Sequence, residues 1–258
     1  MKLTNKTVLI TGASSGIGAK AAETIGTMGN TVVLLARREK ELKAVAETIT
    51  NNGGKAFYYP VDLADNEATQ ATLNKVKKKA GIPDIIINNA GMGKWMTIRE
   101  TSHSQAQDMI SLPYLAAFAV TKAFLPEMVE RKSGHIINLT SDASFLPKGN
   151  AIAYSAARFA LRGFTEALRS ELLGTGVNVS LAVFGKVDSS YWENNPGSEE
   201  RIPAPTPFMP TLTTSQVAGY LVDIVEKNKR ILIKPGVFKF LFWAFRRWPD
   251  AIARGMKN

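Results

Sequence analysis

The sequence predicts a single α/β domain built on a parallel β-sheet with helices on both faces. Over most of the 258 residues, short runs of β-branched residues alternate with longer segments whose apolar residues recur at helical spacing. Such alternation is typical of β-α-β units, whose strands lie side by side in one parallel sheet. No repeat, low-complexity tract or linker interrupts it, so we predict one domain over residues 1–236 and a separate C-terminal segment, 237–258.

The individual elements follow from the same periodicity. Seven strands are predicted, at Thr7–Thr11, Thr31–Leu35, Ala56–Val61, Ile85–Asn88, His135–Thr140, Val177–Val183 and Ile231–Lys234. The segments between them include helices at Glu39–Asn51 and Ser155–Leu173. The proline-rich stretch Tyr191–Thr214 breaks the pattern. Because a long irregular loop in a compact domain is usually a lid or binding loop, we expect a substrate loop over residues 190–214.

Composition excludes several classes of protein. The chain has no cysteine, which excludes a disulfide framework, thiolate metal sites and a thiol nucleophile. Its two histidines, His103 and His135, are too few to suggest a metal centre, so no metal is expected. The first residues are polar, and no apolar run resembles a signal peptide or reaches the length of an ordinary transmembrane helix. These features predict a cytoplasmic protein.

The net charge of +10 is unevenly distributed. From Arg230 to the end, seven basic residues stand against one acidic residue, Asp250, for a net charge of +6. The preceding part of the chain is only mildly basic and shows no helix-turn-helix, zinc-finger or aromatic RNA-binding signature, so a nucleic-acid partner is not expected.

A glycine-rich turn follows the first predicted strand. It reads Thr11-Gly12-Ala13-Ser14-Ser15-Gly16-Ile17-Gly18, and a helix is expected from about Ala19. Glycines here let the backbone approach a pyrophosphate, which the free amides and positive end of the helix stabilise. The alternative is a glycine-rich turn without a ligand, but the position between strand and helix favours a nucleotide site.

With the GxxxGxG spacing and Asn88-Asn89-Ala90-Gly91 after the fourth strand, the chain resembles the short-chain dehydrogenase/reductase family from about Lys6 to Pro235. The resemblance implies a doubly wound Rossmann fold with a seven-stranded sheet, a nicotinamide cofactor, hydride transfer at a carbonyl or alcohol carbon, and a homodimer or homotetramer. It also implies these cofactor contacts: Gly12, Ser14, Ser15, Gly16, Ile17, Gly18, Asp62, Leu63, Asn89, Ala90, Gly91, Tyr154, Arg158, Gly185, Val187 and Ser189.

The end of the second strand bears on the choice of cofactor. NAD-specific sites place a carboxylate there to bind the ribose 2′-hydroxyl, whereas a 2′-phosphate requires a cation. This chain reads Leu35-Ala36-Arg37-Arg38, without a carboxylate. Because a guanidinium can bind phosphate bidentately, we predict that Arg37 and Arg38 contact NADP(H) in preference to NAD(H). The alternative is that both arginines are simply solvated at a helix start.

Ser141 follows the fifth strand, and Tyr154 lies thirteen residues later, a separation that matches the family's catalytic pair. The resemblance assigns proton transfer at the substrate oxygen to Tyr154 and polarisation of that oxygen to Ser141. A phenol is a poor base at neutral pH and needs a nearby cation. The family has lysine four residues after the tyrosine, but this chain has Arg158, which keeps the charge and cannot relay a proton.

A second departure concerns Pro113, which stands where the family has a water-binding asparagine. Proline inside a helix removes an N–H and leaves the carbonyl of Met109 without its helical donor. That carbonyl either holds the water instead, or Pro113 merely kinks the helix; the sequence leaves both alternatives open.

The C-terminal segment holds six consecutive apolar residues, Phe240–Phe245, between basic residues and followed by Trp248. It is too short to span a bilayer but suits peripheral contact with an anionic membrane through residues 238–248. The alternative is packing on the substrate loop or on a second subunit.

The leading hypothesis is an NADP(H)-dependent oxidoreductase that reduces an apolar or lipid-like carbonyl, or catalyses the reverse reaction, with Ser141, Tyr154 and Arg158 as catalytic residues. The rival is a low-turnover NADP-binding sensor or membrane-surface scaffold, suggested by the missing lysine and asparagine. Because both Ser141 and Tyr154 are retained, the first is favoured.

Overall fold

A computed structural model describes residues 2–202 and 206–255 of the chain. Seven strands form one parallel sheet in the order β3-β2-β1-β4-β5-β6-β9. Their bounds are β1 Thr7–Thr11, β2 Thr31–Ala36, β3 Lys55–Pro60, β4 Ile85–Asn88, β5 Gly134–Ser141, β6 Val177–Phe184 and β9 Ile231–Lys234. The predicted seven-stranded parallel sheet is confirmed, and the strand ends differ from the prediction by one residue at most.

Nine α-helices lie within the described residues. They are α1 Gly16–Gly26, α2 Glu39–Asn51, α3 Asn66–Ala80, α4 His103–Ile110, α5 Ala116–Glu130, α6 Ile152–Glu171, α7 Thr214–Glu226, α8 Val237–Arg247 and α9 Pro249–Gly255. The first helix begins at Gly16, three residues before the predicted start. Tyr154 therefore lies in the first turn of α6, which begins two residues before it.

The core consists of two apolar layers, one on each face of the sheet. Alternate strand residues point to opposite faces, so Leu9 joins Val33 on one face while Ile10 joins Leu34 on the other. Helices α1, α2 and α7 cover the second face, and α3, α5 and α6 cover the first. This is the doubly wound arrangement that the sequence predicts, and the order reverses between β1 and β4, where such sheets bind ligands.

Between α4 and α5 the helix is interrupted by a π turn, Ser111–Leu115, with Pro113 at its centre. The amide of Ala116 donates to the carbonyl of Ser111, five residues earlier. A π turn accommodates a missing amide because it shifts the donors by one residue, and such turns are frequent at functional sites. Pro113 is buried in this turn, and whether the carbonyl of Met109 holds a water stays a prediction.

One continuous helical stretch, His103–Glu130, is long and apolar enough to cross a membrane by length and composition. The expectation concerned an uninterrupted apolar run, whereas this stretch is interrupted by Ser111, Thr121 and Lys122 and passes on its average composition. The same test is passed by core helices of soluble proteins, and here Val120, Phe124 and Met128 are fully buried against the sheet.

The predicted substrate loop contains some regular structure. A 3-10 turn covers Glu199–Arg201, and β8, Leu212–Thr213, pairs with β7, Val187–Asp188, in a second, two-stranded parallel sheet. Pro203 and Pro205 of the loop lie outside the described residues, as do residues 256–258 of the C-terminal segment. The division of the chain at residue 236 stays a prediction.

Candidate active site

A cavity of about 650 Å³ opens at the carboxyl ends of the strands, beside the point where the strand order reverses. It collects most of the predicted site residues, namely Gly12, Ser14, Ser15, Gly16, Ile17, Arg37, Arg38, Leu63, Asn89, Ala90, Gly91, Ser141, Tyr154, Arg158, Gly185, Val187 and Ser189. Gly18 and Asp62 are predicted cofactor contacts that do not line it. In the described part of the chain, no group of three or more His, Asp or Glu side chains is arranged to hold a metal ion.

The glycine turn at the start of α1 is fixed by contacts with the segment after β4. Gly12 and Gly16 have φ angles of +66° and +55°, a region that favours glycine. A Cβ on Gly12 would lie 2.9 Å from the Cα of Ala90. The Thr11 hydroxyl accepts hydrogen bonds from the amides of Asn89 and Ala90, at 3.0 and 2.9 Å. The two loops thus form one rigid wall of the cavity.

Gly18 supports this wall from behind. A Cβ there would collide with the carbonyl of Gly12 and the side-chain amide of Asn89. That amide donates to the carbonyls of Thr11 and Gly12. Gly18 is therefore required because there is no space for a side chain at this position, which the glycine spacing alone does not reveal.

Arg37 and Arg38 have different surroundings at the end of β2. Arg38 donates to the hydroxyls of Ser15, at 2.6 Å, and Ser14, at 3.3 Å, so it braces the glycine turn. Arg37 is 64% exposed and its closest carboxylate oxygen, on Asp62, is 4.0 Å away. An exposed ion pair this long contributes little, so the guanidinium of Arg37 is available to an anion at the cavity edge.

Ser141 and Tyr154 meet inside the cavity. The Tyr154 hydroxyl donates to Ser141 Oγ at 3.0 Å, and the same Oγ accepts from the amide of Ala143 at 3.2 Å. Tyr154 is 7% exposed and its ring packs against Gly93. The two hydroxyls thus converge on one point, where both can contact a single substrate oxygen.

Arg158 is buried one helical turn below Tyr154. Its guanidinium carbon lies 4.8 Å from the centre of the Tyr154 ring, and it fills the space beside Gly91, where a Cβ would lie 2.7 Å from a guanidinium nitrogen. The Nε atom of Arg158 has no hydrogen-bond partner within the described residues. A buried guanidinium with an unpaired donor in a cavity is suited to hold a polar ligand.

The start of the substrate loop contributes a second tyrosine, which the sequence analysis did not identify as a site residue. Tyr191 lines the cavity and donates from its hydroxyl to the carbonyl of Gly93 at 2.8 Å. Burial raises the pKa of Tyr191 well above its ordinary value, and the neighbouring Tyr154 hydroxyl raises it further. Tyr191 therefore keeps its proton and ties the loop to the segment after β4.

Further contacts hold the loop over the cavity. The side chains of Asn195 and Ser198 accept from the amides of Gly93 and Trp95, at 3.2 Å each. At the outer edge, both terminal nitrogens of Arg201 bind the carboxylate of Glu100, at 2.7 and 2.8 Å. Hydrogen bonds from Arg201 hold the pKa of Glu100 at about 2, so this carboxylate stays charged.

The remaining wall of the cavity is largely apolar. It includes Trp95, Leu146, Tyr191, Phe238, Leu241 and Ile252. Trp95 lies 6.2 Å from the Tyr154 ring, centre to centre. Phe238 and Leu241 belong to α8, within the range 238–248 predicted to contact a membrane, and Ala251 and Ile252 belong to α9. The inner side of α8 thus packs on Gly185 and on Phe145 in the turn after Ser141, and contact of this segment with a membrane, the substrate loop or a second subunit stays a prediction.

Fold and site together define a class: an α/β protein of the dinucleotide-binding type with a Ser–Tyr pair at the carboxyl edge of its sheet. The profile of the short chain dehydrogenase family matches residues 6–200. The chain belongs to the short-chain dehydrogenase/reductase family, whose members are NAD(P)-dependent oxidoreductases.

Relatives of known name lie in bacteria and animals. The chain is 36% identical to human dehydrogenase/reductase SDR family member 7 over 203 residues, 77% of this chain and 60% of that protein. It is 37% identical to the ketoacyl reductase HetN of Nostoc over 73% of this chain and 66% of the relative. It is 34% identical to a fatty acyl-CoA reductase of Mycobacterium tuberculosis over 91% and 78%. The chain thus spans less than two thirds of the first two relatives.

Solved structures share the fold over most of its length. L-sorbose reductase from Gluconobacter frateurii, complexed with NADPH and L-sorbose, is 26% identical with a TM-score of 0.79 and covers 87% of this chain and 90% of its own. A metagenomic short-chain oxidoreductase in complex with NADP is 29% identical, with a TM-score of 0.74 and coverage of 90% and 96%. A short-chain dehydrogenase from Sphingobium yanoikuyae aligns with a TM-score of 0.83 at 24% identity over 98% and 97%, a likeness of fold.

Proposed function

We propose that the protein is an NADP(H)-dependent oxidoreductase that reduces an apolar, lipid-like ketone or aldehyde to an alcohol, or catalyses the reverse reaction. The observation that carries this proposal is the hydrogen bond between Tyr154 and Ser141 inside a cavity with an apolar wall. A hydroxyl pair at this place can bind one carbonyl oxygen and supply its proton, while the apolar wall accommodates the rest of the substrate.

The residues present fit a nicotinamide dinucleotide. Two buried polar atoms on the cavity wall, Arg158 Nε and Ser190 Oγ, have no partner within the described residues, and ligand groups would satisfy them. Gly12 and Gly16 leave backbone open to a pyrophosphate at the start of α1. Gly185, Val187 and Ser189 line the same cavity, and Ser189 lies next to Gly16, where a Cβ would be 3.3 Å from the Ser189 Cβ. When bound, such a cofactor supplies or accepts the hydride.

The chain's own residues then divide the remaining work. Tyr154 holds the proton that the substrate oxygen receives in reduction, and Ser141, fixed by the Ala143 amide, orients that oxygen. Arg158 keeps a positive charge beside the Tyr154 ring and favours negative charge that develops on the phenol oxygen. Trp95, Tyr191 and the loop contacts exclude water from the pair.

The preference for NADP(H) rests on Arg37. Its guanidinium is exposed at the cavity edge, and its ion pair with Asp62 is long, at 4.0 Å, and exposed. At the end of β2, where an NAD-binding site would have a carboxylate, this chain has Ala36. Similar structures were solved with NADPH and with NADP, which supports the same choice. In the proposed site, Asp62 lies beside Arg37 at the cavity edge. Gly18 supports the glycine turn by packing and does not itself contact the cofactor.

The substrate class follows from the wall and is supported by the relatives. Phe238, Leu241 and Ile252 are side chains that bind hydrocarbon rather than a sugar or an acid. One relative is a fatty acyl-CoA reductase and another a ketoacyl reductase, both of which act on acyl chains by name. The scaffold alternative is not favoured, because the Ser–Tyr geometry is intact.

A homodimer or homotetramer remains part of the proposal. Helices α5 and α6 expose Phe118 and Phe159, at 43% and 39%, together with Leu115 at 49%. Phe118, Tyr114 and Phe164 contact one another along the same face. Such a patch is typical of a surface that another subunit covers.

The proposal is tested by following NADPH absorbance with a series of ketones and aldehydes of increasing chain length. We expect turnover to rise with chain length, and Tyr154→Phe to abolish it while cofactor affinity stays nearly unchanged, because only the proton-transferring hydroxyl is removed. A Tyr154→Phe variant that retains most of the rate would contradict the mechanism. Turnover restricted to short polar carbonyls would contradict the substrate class.

A further inference from the structure

The helices α8 and α9 have two chemically different sides, and the inner side forms part of the cavity. The Phe238 ring takes the space beside Gly185, where a Cβ would lie 2.6 Å from it. Phe242 stacks on Phe145, in the turn after Ser141, with 4.4 Å between ring centres. Leu241 and Ile252 line the cavity. The position of these helices is therefore fixed by contacts at the site.

The outer side carries a continuous aromatic surface. Phe240, Trp243 and Trp248 are 63%, 57% and 53% exposed. Trp243 lies between the other two, with ring centres 5.8 Å from Phe240 and 5.6 Å from Trp248. Three large aromatic side chains in mutual contact and exposed to water mark a surface that binds something. We name these three residues the aromatic patch.

Basic residues surround the aromatic patch. Lys239, Arg246, Arg247 and Arg254 are exposed, and none of them forms an ion pair with another described residue. Asp250 is the one acidic residue of the segment 237–255. The surface around the patch is therefore strongly positive, and the occupant has to combine an apolar layer with negative charge.

The combination of an apolar layer and negative charge distinguishes between two candidate partners of this surface, a second copy of the chain and an anionic bilayer. A second copy of the chain, docked through the same face, would bring the arginines of both copies together without counter-charges. An anionic bilayer offers headgroup charge to the arginines and an apolar boundary layer to the tryptophans. With 11 residues, α8 is about 16 Å long, too short to span a bilayer and suited to lie in its surface.

We propose that α8 and α9 dock on the surface of an anionic lipid bilayer through the aromatic patch, and that the apolar substrate passes from that bilayer into the cavity behind the same helices. The docking stands on the patch and its charges alone. The delivery of substrate rests on the proposed function, because it assumes an apolar carbonyl compound dissolved in the lipid. The same short helix then has its outer side in the lipid boundary while its inner side contacts the substrate.

Docking is tested by co-sedimentation of the full chain with phosphatidylcholine vesicles, with and without phosphatidylglycerol. We expect binding to the anionic vesicles and a blue shift of tryptophan emission on binding. Arg246→Gln with Arg247→Gln should weaken binding roughly 30-fold, since each basic residue near an anionic surface contributes on the order of 1 kcal/mol. Trp243→Ser with Trp248→Ser should abolish it.

Matched controls separate the patch from general surface effects. Lys78→Gln with Lys79→Gln removes an adjacent pair of exposed charges from the end of α3. Leu173→Ser removes a side chain that is 78% exposed, just after α6. Both controls should bind vesicles like the unchanged chain. Equal binding by the patch variants and these controls would overturn the docking.

Substrate delivery needs a second measurement. A long-chain ketone embedded in anionic vesicles is compared with a short, water-soluble ketone under the same conditions. The Trp243→Ser, Trp248→Ser variant should lose most of its rate on the embedded ketone and keep its rate on the soluble one. Equal rates of variant and unchanged chain on the embedded ketone would overturn delivery. If no carbonyl compound is reduced at all, the proposed function fails, while sedimentation still decides the docking.

Discussion

The guanidinium of Arg158 lies over the ring of Tyr154, 4.8 Å from its centre. The positive charge is thus held against the face of the phenol by burial and by packing beside Gly91. A cation over an aromatic face is stabilised by the ring itself, and from this place it still acts on charge at the phenol oxygen. Arg158 therefore orders and polarises Tyr154, and it has no proton to pass on.

We expect Arg158→Met to reduce turnover. Methionine keeps much of the volume beside Gly91 but removes the cation that lies over the Tyr154 ring and stabilises negative charge developing on the phenol oxygen. The measurement is kcat at a fixed pH with saturating cofactor. A kcat equal to that of the unchanged chain would show that the charge of Arg158 has no part in turnover.

Arg158→Lys alone should give little gain, because the family resemblance places Pro113, at the centre of the π turn, where other members have a water-binding asparagine. Combined with Pro113→Asn, we expect a gain in kcat larger than the sum of the two single changes. A double-mutant cycle measures the coupling. Additive effects would mean that Pro113 has no part in proton transfer and serves only the helix geometry.

The two adjacent arginines should differ in their effect on cofactor choice. Arg37→Ala removes an exposed cation at the cavity edge and should weaken NADP(H) by on the order of 1.5–3 kcal/mol while hardly changing NAD(H). Arg38→Ala removes the brace on Ser15 and should weaken both cofactors alike. Isothermal titration with both cofactors checks this. Equal loss of both affinities in Arg37→Ala would contradict NADP(H) recognition by Arg37.

Glu100 and Arg201 fasten the outer edge of the substrate loop, and Glu100→Gln should loosen it. We expect faster proteolysis between residues 190 and 214 and a several-fold higher KM for substrate, with a smaller effect on kcat. Because the pKa of Glu100 is lowered to about 2, the contribution of the pair is fully present above about pH 4.5 and is lost as the pH falls toward 2. The matched control is Lys227→Gln, which breaks an exposed ion pair with Asp223 on α7. Equal proteolysis of the two variants would show that the Glu100–Arg201 pair does not hold the loop in place.

His135 should make folding stability depend on pH. Its ring is 1% exposed, Nε2 lies 2.7 Å from Ser180 Oγ, and burial lowers its pKa to about 4 from 6.5. The native state thus binds the proton less readily than the unfolded state, so stability is full above pH 6.5 and falls as the pH drops toward 4, by about 3 kcal/mol in all.

The change His135→Gln removes this titration and keeps an amide near Ser180. Urea unfolding at pH 7 and pH 4.5 should therefore show a smaller loss of free energy of unfolding in His135→Gln than in the unchanged chain. His103→Gln, at the exposed start of α4, is the control and should behave like the unchanged chain. An identical pH dependence in all three proteins would exclude His135 as the cause.

The sheet could be predicted from the sequence because its signal is local. A buried parallel strand such as Ile85–Asn88 shows itself as a run of β-branched residues, and the glycine turn lies directly after Thr11. The Ser141 to Tyr154 spacing bridges one loop between a strand and a helix. Each of these patterns lies within a short stretch of sequence, so the fold and the centre of the site can be predicted from them.

The walls of the site could not be predicted in the same way. Arg201 meets Glu100 across 101 positions and Tyr191 meets Gly93 across 98, and no local pattern marks either pair. The collision that a side chain at Gly185 would have with Phe238 spans 53 positions. Such contacts depend on how the loop and the last helices fold back over the sheet, which periodicity does not encode.

The wall formed by Phe238, Leu241 and Ile252 lies wholly beyond residue 200, where the match to the family ends. Part of the proposed substrate wall is therefore encoded apart from the glycine turn and the Ser–Tyr pair, while Trp95, Leu146 and Tyr191 of the same wall lie within the matched region. Substitutions at Leu241 and Ile252, which line the cavity, can change the compounds accepted, whereas Phe238 and Phe242 also pack on Gly185 and on Phe145 in the turn after Ser141. Two proteins with nearly the same first 200 residues can therefore accept different substrates. Exchanging their last helices is a short route to a new specificity.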